Sequence, residues 1–340
     1  MIIHHDYSLL AHNTFGIGAR CRRFMEYTSL SELDETLRLL RDEKETQLLH
    51  IGGGSNLLFT KDFDGTILHS AITGLETVAD DGERVELRVG AGENWDRLVE
   101  HCTAAGLHGL ENLSLIPGEA GASAVQNIGA YGAEAGDFIV RVETVETATG
   151  RPHTFTNREC GYAYRHSIFK GEQSGRHIIT HVTFGLHRTF APDLDYAAIR
   201  RELEARGISA ANVTPVLLRE LIIGIRRRKL PDPAVTGSAG SFFMNPVIPE
   251  ERFKALQAQY PDLPHYPAAG GIKIPAGWLI EQCGWKGKKA GRAGVHDRQA
   301  LVLVNCGGAT GADIVQLSDT IRRDVRERFG IEIRPEVCFV

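Results

Sequence analysis

Ile51-Gly52-Gly53-Gly54-Ser55-Asn56-Leu57-Leu58-Phe59 is the stretch whose reading decides the fold. Three glycines directly after an apolar run let the backbone bend sharply and present bare amide N–H groups, the arrangement of an anion-binding nest. Glycine runs also make plain turns, and this one by itself does not separate the two readings. It is not Gly-x-Gly-x-x-Gly opening a helix, so a Rossmann dinucleotide fold is not indicated. A second stretch runs from Ser114-Leu115-Ile116-Pro117-Gly118 to Gln126-Asn127-Ile128-Gly129-Ala130-Tyr131-Gly132, with Gly118, Ala120, Gly121, Ala122, Ser123 and Ala124 in its middle. A chain so poor in side chains either packs tightly on another element or lets a large ligand lie along its backbone. Two such stretches together favour one extended ligand with a diphosphate, and FAD fits that description.

Around these stretches the pattern is that of an α+β protein. Gln47–Ile51, Thr66–Leu68, Val85–Val89 and Val140–Thr147 read as short strands bounded by turn residues. Ser29–Arg41 and Trp95–Ala105 have helical spacing, with Ser31 and Asn94 as expected N-caps and Gly106 as a C-cap. Thr214-Pro215 opens a helix that Leu230-Pro231-Asp232-Pro233 stops. A further helix over Asp313–Phe329 closes on Gly330, and Ile331–Ile333 and Val337–Val340 are strand-like.

Length and composition bound the function. At 340 residues, two or three domains are expected. Hydrophobic residues at 42% and charged residues at 24% are ordinary for a globular chain. A net charge of −5 without a long single-sign block argues against a general nucleic-acid binder and against attraction to a membrane surface. No apolar run approaches the roughly 20 residues needed to cross a bilayer. His4, His5 and Asp6 stand where a signal peptide would be apolar, so a cytoplasmic location is expected. The six cysteines lack a Cys-x-x-Cys pair and read as reduced thiols. None of the fourteen histidines falls in a ligand spacing, and no metal is implied.

The two glycine-rich stretches, with Asn13-Thr14-Phe15-Gly16 upstream, resemble the UDP-N-acetylenolpyruvoylglucosamine reductase (MurB) family of peptidoglycan synthesis. The likeness continues through Tyr164-Arg165-His166-Ser167-Ile168-Phe169-Lys170 and Gly240-Ser241-Phe242-Phe243-Met244-Asn245-Pro246. It ends in Lys273-Ile274-Pro275-Ala276-Gly277-Trp278-Leu279-Ile280 and Pro335-Glu336-Val337. The tail and the segment around 190–200 are similar to the longer of the family's two forms. The resemblance implies a two-part FAD-binding domain of the PCMH/vanillyl-alcohol-oxidase kind and a C-terminal α+β substrate domain. Their expected bounds are 1–70, with the tail 330–340 packed on it, 71–205, and 206–329. It further implies a monomeric enzyme that uses non-covalent FAD, NADPH as co-substrate and UDP-N-acetylglucosamine enolpyruvate as substrate.

By the same resemblance, NADPH reduces the flavin and leaves, and hydride then passes to C3 of the enolpyruvyl ether on the same flavin face. An enol ether is electron-rich, so the substrate carboxylate must accept enolate charge, and a cation must stabilise it. Arg165 matches that cation, and its planar fork suits a carboxylate. Ser241 matches the donor of the proton to C2. Glu336 matches the third catalytic residue. An ionised carboxylate beside the enolate would oppose the reaction, so Glu336 is expected either to be protonated between Ile333 and Val337 or to orient a donor. The flavin is expected on Gly52, Gly53, Gly54, Ser55, Asn56, Leu57, Pro117, Gly118, Ala122, Ser123, Gln126, Asn127, Gly129, Ala130, Tyr131 and Gly132. Substrate is expected on Tyr196, Lys229, Asn245, Tyr266, Lys273 and Gln299, with Lys229 on the diphosphate and Arg226, Arg227 and Arg228 as solvated charge.

Two positions depart from the pattern. Cys338 stands where many relatives carry Arg, and Glu119 puts a carboxylate beside the diphosphate nest, which it would repel unless turned outward. Two rival functions remain at this level. A sugar or alcohol oxidase on the same fold would often attach FAD through a histidine, yet the matching loop reads Gly53-Gly54-Ser55-Asn56. A non-catalytic nucleotide-sugar sensor would be expected to lack Arg165, Ser241 or Glu336, and all three are present.

Overall fold

The computed structural model describes residues 1–340, which divide into two units. The first comprises Met1–Tyr7, Cys21–Gly53 and Asp64–Arg226, and the second Ser8–Arg20, Gly54–Phe63 and Arg227–Val340. No helix is long and apolar enough to cross a membrane.

The first unit carries two sheets. One contains β1 (Ile2–Ser8), β2 (Arg20–Tyr27), β3 (Leu48–Ile51) and β4 (Phe63–Ser70), in the order β1-β2-β4-β3. β3 and β4 are parallel, with Ile51 opposite His69, so the glycine turn emerges beside the end of β4. The chain between these parallel strands, residues 52–62, makes their connection, while helix α1 (Leu30–Asp42), between β2 and β3, packs Leu33, Leu37 and Leu40 with Met25, Tyr27 and Leu68. Its N-cap is Ser29 rather than the expected Ser31. Ser29 is extended and its hydroxyl accepts the Glu32 N–H, whereas Ser31 already lies inside the helix.

The other sheet holds β5 (Leu75–Asp80), β6 (Arg84–Gly90), β7 (Ile139–Glu146), β8 (Pro152–Thr156) and β9 (His177–His187), in the antiparallel order β8-β7-β9-β6-β5. Period-2 alternation decides its faces. Val85, Leu87 and Val89 of β6 are buried, while Glu86 and Arg88 between them pair with Arg141 at 2.7 Å and Glu143 at 2.8 Å. Central β9 is buried from Ile178 to Leu186. Helix α2 (Trp95–Ala104) begins at Asn94, whose side chain accepts the Arg97 N–H. It packs Trp95, Leu98 and Val99 into the same core as Val182 and Phe184. The short helix α3 (Ala120–Gln126) occupies the middle of the second small-residue stretch. Helices α4 (Ala197–Ala205) and α5 (Pro215–Lys229) pack together through Ile199, Leu203, Leu218, Leu221 and Ile222.

The second unit contains α6 (Glu250–Gln259), α7 (Ala276–Gln282) and α8 (Gly311–Phe329). Two three-stranded sheets accompany them. The first is formed by β10 (Val247–Ile248), β11 (Tyr266–Ala268) and β12 (Gly271–Lys273), the second by β13 (Lys289–Ala290), β14 (Ala293–Val295) and β15 (Leu303–Asn305). Thr310 and Asp313 close α8 with a capping box, and Gly330 ends it at φ +62°. Ile331–Ile333 is irregular rather than a strand: Ile331 and Ile333 are buried without sheet partners. The last strand, β16 (Cys338–Phe339), pairs in parallel with Leu57–Leu58.

Trp95 joins these first-unit elements, its indole N–H donating to the Leu113 carbonyl at 2.9 Å and its ring meeting Phe184 edge-on. Trp95→Phe leaves that buried carbonyl unsatisfied, and a loss of about 1–3 kcal/mol is expected, read as a lower melting temperature. An unchanged melting temperature would show that the bond contributes nothing.

Candidate active site

In the first unit the two glycine-rich stretches meet. A Cβ added to Gly53 would stand 3.7 Å from the Gly118 Cα and 3.5 Å from a Glu119 oxygen. One added to Gly52 would stand 3.0 Å from the other Glu119 oxygen and 3.3 Å from the Ala122 Cβ. Gly118 itself has φ +127°, where a side chain would be strained. Gly52, Gly53, Gly118 and Ala122 are thus gathered with little but backbone at their surface, which suits a diphosphate lying on amide N–H groups. The residues fit FAD here.

Not every small residue serves a ligand. A Cβ on Gly121 would stand 2.8 Å from the Ala91 Cβ, so this glycine lets α3 sit on the end of β6. Ser123 is buried and gives its hydroxyl to the Ala120 carbonyl at 2.6 Å. In the second unit a Cβ on Gly54 would fall 1.9 Å from the His12 carbonyl oxygen.

The end of the second stretch is bound to the arginine loop. Asn127, at φ +47°, ends α3 and spends its side chain on three bonds: from Gly136 N–H at 2.8 Å, to Glu134 at 2.8 Å and to the Ala163 carbonyl at 2.9 Å. Ser167 donates to the Val125 carbonyl at 2.6 Å. Between these ties, Arg165 lies along the backbone of Gly129. Its guanidinium donates to the Gly129 carbonyl at 2.7 Å, and a Cβ at Gly129 would stand 2.9 Å from Nη1. Arg165 has φ +55° and stands over the Tyr164 ring at 5.2 Å. Tyr131, at φ +51°, meets the exposed Tyr196 edge-on at 5.3 Å. Asn112 joins their segments through the carbonyls of Tyr131 at 2.8 Å and Asp193 at 3.0 Å.

Leu115 is held at φ +57° by Asp96 and Arg226, neither of them expected at the site. Its N–H goes to Asp96 at 2.5 Å, its carbonyl accepts from Arg226 at 3.2 Å, and Asp96 is paired with Arg219 at 2.6 Å. Arg226 is therefore not the solvated charge expected of it, because α5 turns it inward; Arg227 and Arg228 are exposed. Asp96, Asn112 and Arg219 left no local signal, since each acts on chain brought near only by folding.

In the second unit, Asn13-Thr14-Phe15-Gly16 organises two other motifs. Thr14 N–H donates to the Gly54 carbonyl at 3.2 Å, and its hydroxyl to that of Ser55 at 3.4 Å. Ser238 N–H donates to the Thr14 carbonyl at 2.9 Å, and Gly237 passes so close to the Phe15 carbonyl that a Cβ would stand 2.1 Å away. The chain then turns at Gly240 (φ +66°) into Ser241, which bridges to Val302. Phe242 N–H goes to the Leu301 carbonyl and the Phe242 carbonyl accepts Glu336 N–H, both at 2.8 Å. Ser241 and Glu336 are thus one peptide hydrogen bond apart on adjacent extended segments. The Glu336 carbonyl also accepts from Asn56 at 3.2 Å, and Leu57 pairs with the exposed Cys338.

The expected substrate residues are distributed over both units. Tyr196 belongs to the first, and Lys229, exposed at the end of α5, to the second. Tyr266 and Lys273 face each other across β11 and β12. Asn245 accepts the Ala276 N–H at 2.9 Å, fixing the start of α7, and Gln299 lies against that helix, 2.9 Å from where a Gly277 Cβ would be. Pro117 is exposed, while Gln126, Ala130 and Gly132 continue the first unit's bare stretch.

Comparison with known proteins agrees in sequence and fold. The family model for the C-terminal domain of UDP-N-acetylenolpyruvoylglucosamine reductase matches residues 232–340, and that for an FAD binding domain matches residues 22–156. UDP-N-acetylenolpyruvoylglucosamine reductase of Bacteroides fragilis is 55% identical over 336 residues, 98% of this chain and 99% of that protein. The protein of the same name from Burkholderia multivorans is 49% identical over 337 residues, 98% and 96% of the two chains. The crystal structure of MurB from Thermus caldophilus covers 99% of this chain and 98% of its own at TM-score 0.68 and 22% identity, a likeness of fold. So does 6-hydroxy-D-nicotine oxidase of Arthrobacter nicotinovorans, at TM-score 0.54 and 15% identity over 97% of this chain and 86% of its own. The chain belongs to the UDP-N-acetylenolpyruvoylglucosamine reductase family.

Proposed function

We propose that this chain reduces the enolpyruvyl double bond of UDP-N-acetylglucosamine enolpyruvate through Arg165, Ser241 and Glu336. The chemistry FAD supplies when bound is hydride transfer, from NADPH in one half-reaction and to C3 of the enolpyruvyl ether in the other. Gly52, Gly53, Gly118 and Ala122 would hold its diphosphate on backbone N–H groups.

Arg165 binds the substrate carboxylate and stabilises the negative charge that builds there as C3 gains hydride. Its support is geometric: the Gly129 carbonyl takes one guanidinium nitrogen at 2.7 Å and fixes the direction of the fork. Ser241 donates its hydroxyl proton to C2, completing the conversion of the double bond to a single bond. A serine is a weak acid, but an enolate carbon is a strong enough base to take its proton when the hydroxyl is well aimed. Glu336 orients that donor. The observation that carries this reading is the 2.8 Å bond from Glu336 N–H to the carbonyl of Phe242, the residue after Ser241. A donor held on a rigid extended segment loses little freedom on reaching its target. Lys229, Tyr266, Lys273, Asn245, Gln299 and Tyr196 would bind the UDP-sugar.

Ser241→Ala separates the half-reactions: NADPH still bleaches the flavin at the wild-type rate, while reoxidation by the sugar substrate slows by about 10²-fold or more in stopped flow. Wild-type rates in both halves would remove Ser241 as the acid. Arg165→Lys keeps the charge but not the fork, and a fall in kcat/KM of about 10²-fold is expected in steady-state assays. Turnover equal to wild type would reject the carboxylate role.

A further inference from the structure

A partly buried charged cluster lies under the glycine turn, and the reduction does not use it. His69, at the end of β4, stands between two carboxylates: Nδ1 is 2.9 Å from Glu26 and Nε2 is 3.0 Å from Glu119. The side chains of His69 and Glu119 are only 13% and 15% exposed, so Glu119 does not escape the diphosphate by turning to solvent. Its two oxygens lie against the turn, 3.0 Å from where a Gly52 Cβ would stand and 3.5 Å from where a Gly53 Cβ would stand. A neutral imidazole has one donor and one acceptor nitrogen, and the acceptor would face a carboxylate here; only the imidazolium donates to both.

We propose that the His69 imidazolium is a positioning residue for the flavin diphosphate, neutralising and holding Glu119 so that FAD retention depends on the His69 proton. The proposal rests on the diphosphate lying over Gly52, Gly53 and Gly118. A dianion beside an unbalanced carboxylate is repelled, and at this degree of burial salt and water screen the pair poorly.

Glu26 from β2, His50 from β3 and Glu119 ahead of α3 face His69, and the Phe24 ring stacks on it at 6.2 Å. Burial alone drives the His69 ring toward neutrality, but the hydrogen bonds and charges of Glu119 and Glu26 outweigh it and hold its pKa above the ordinary 6.5. His50, bonded to the Tyr27 hydroxyl at 2.8 Å, is pushed down to about 3 by burial and by the charge of His69. Burial also pushes the Tyr27 hydroxyl well up. His50 and Tyr27 therefore keep one charge state while His69 titrates. A raised pKa means that the proton is in place below the ordinary value and is lost as pH rises through the raised one, so FAD is held less well on the alkaline side.

The test is flavin retention by the holoenzyme after dilution and ultrafiltration, read as free FAD absorbance at about pH 6 and about pH 9. Wild type is expected to hold FAD about tenfold less tightly at the higher pH, and His69→Asn to be as weak at the lower pH. Glu119→Gln removes the charge that needs balancing, so it should hold FAD more tightly than wild type at the higher pH and restore retention in the His69→Asn background. Equal retention by Glu119→Gln and wild type at both pH values overturns the proposal without need of the histidine variant. So does a wild-type profile flat with pH, or a double variant no better than His69→Asn. A wild-type preparation that binds no flavin at either pH removes the diphosphate reading itself, and the proposal with it.

Discussion

The closeness of Gly53 to Gly118 is the constraint around which the first unit is arranged. A methyl on Gly53 would already be in van der Waals contact with the Gly118 Cα at 3.7 Å and with a Glu119 oxygen at 3.5 Å, so the two backbones run close together where they meet. Amide groups left bare in this way need partners, and an anion supplies them better than a second strand could, because the two stretches are turns rather than ladders. Parallel pairing of β3 with β4 delivers the first turn, and Gly121 against Ala91 delivers the second by letting α3 settle on β6.

Such an arrangement stores strain. Leu115, Asn127, Tyr131 and Arg165 all have φ between +47° and +57°, and all belong to the bare stretch or to the loop tied to it. Each costs of order 1–3 kcal/mol unless its surroundings fix it. Those surroundings are partly buried polar ties: Asp96 and Arg226 on Leu115, three bonds from the Asn127 side chain, Asn112 on the Tyr131 carbonyl, and Gly129 under Arg165. The motif residues therefore depend on Asp96, Arg219 and Arg226, of which Asp96 and Arg219 belong to no motif. Strain here fixes the direction of Arg165, the group on which the carboxylate chemistry depends.

Much of this was legible in the sequence, and the limits have physical causes. Strands β3, β4, β6 and β7 and helices α2, α5 and α8 follow from alternation, capping residues and Gly330, all of them local signals. β9, the centre of the larger sheet, was missed although Val182, Phe184 and Leu186 alternate with Thr183, Gly185 and His187; Thr180, His181 and Thr183 are buried there too, so its residue types do not mark it as a strand covered on both faces. α3 was missed because Ala-Gly-Ala-Ser-Ala-Val-Gln has no amphipathic stripe; its helix is set by contact with Ala91. The glycines were legible as a class but not one by one. Gly53 is bare toward Gly118, whereas Gly121 and Gly54 are small because Ala91 and His12 occupy the space beside them. A glycine-rich run reports that something is close, not whether it is ligand or protein.

Charge at the turn is harder still to read from motifs. Glu119 stands at odds with a diphosphate when taken alone, and no neighbour in sequence relieves it. The relief comes from the register of a parallel pair: Ile51 opposite His69 puts the ring beside the residue that precedes Gly52, and so within 3.0 Å of Glu119. Had β3 and β4 slipped by one residue, the period-2 rule would have sent His69 to the opposite face and left the carboxylate uncovered. The electrostatics of the turn thus depend on strand pairing as much as on the residues of the turn, and a departure at one motif position can be harmless when the sheet beneath it supplies the opposite charge.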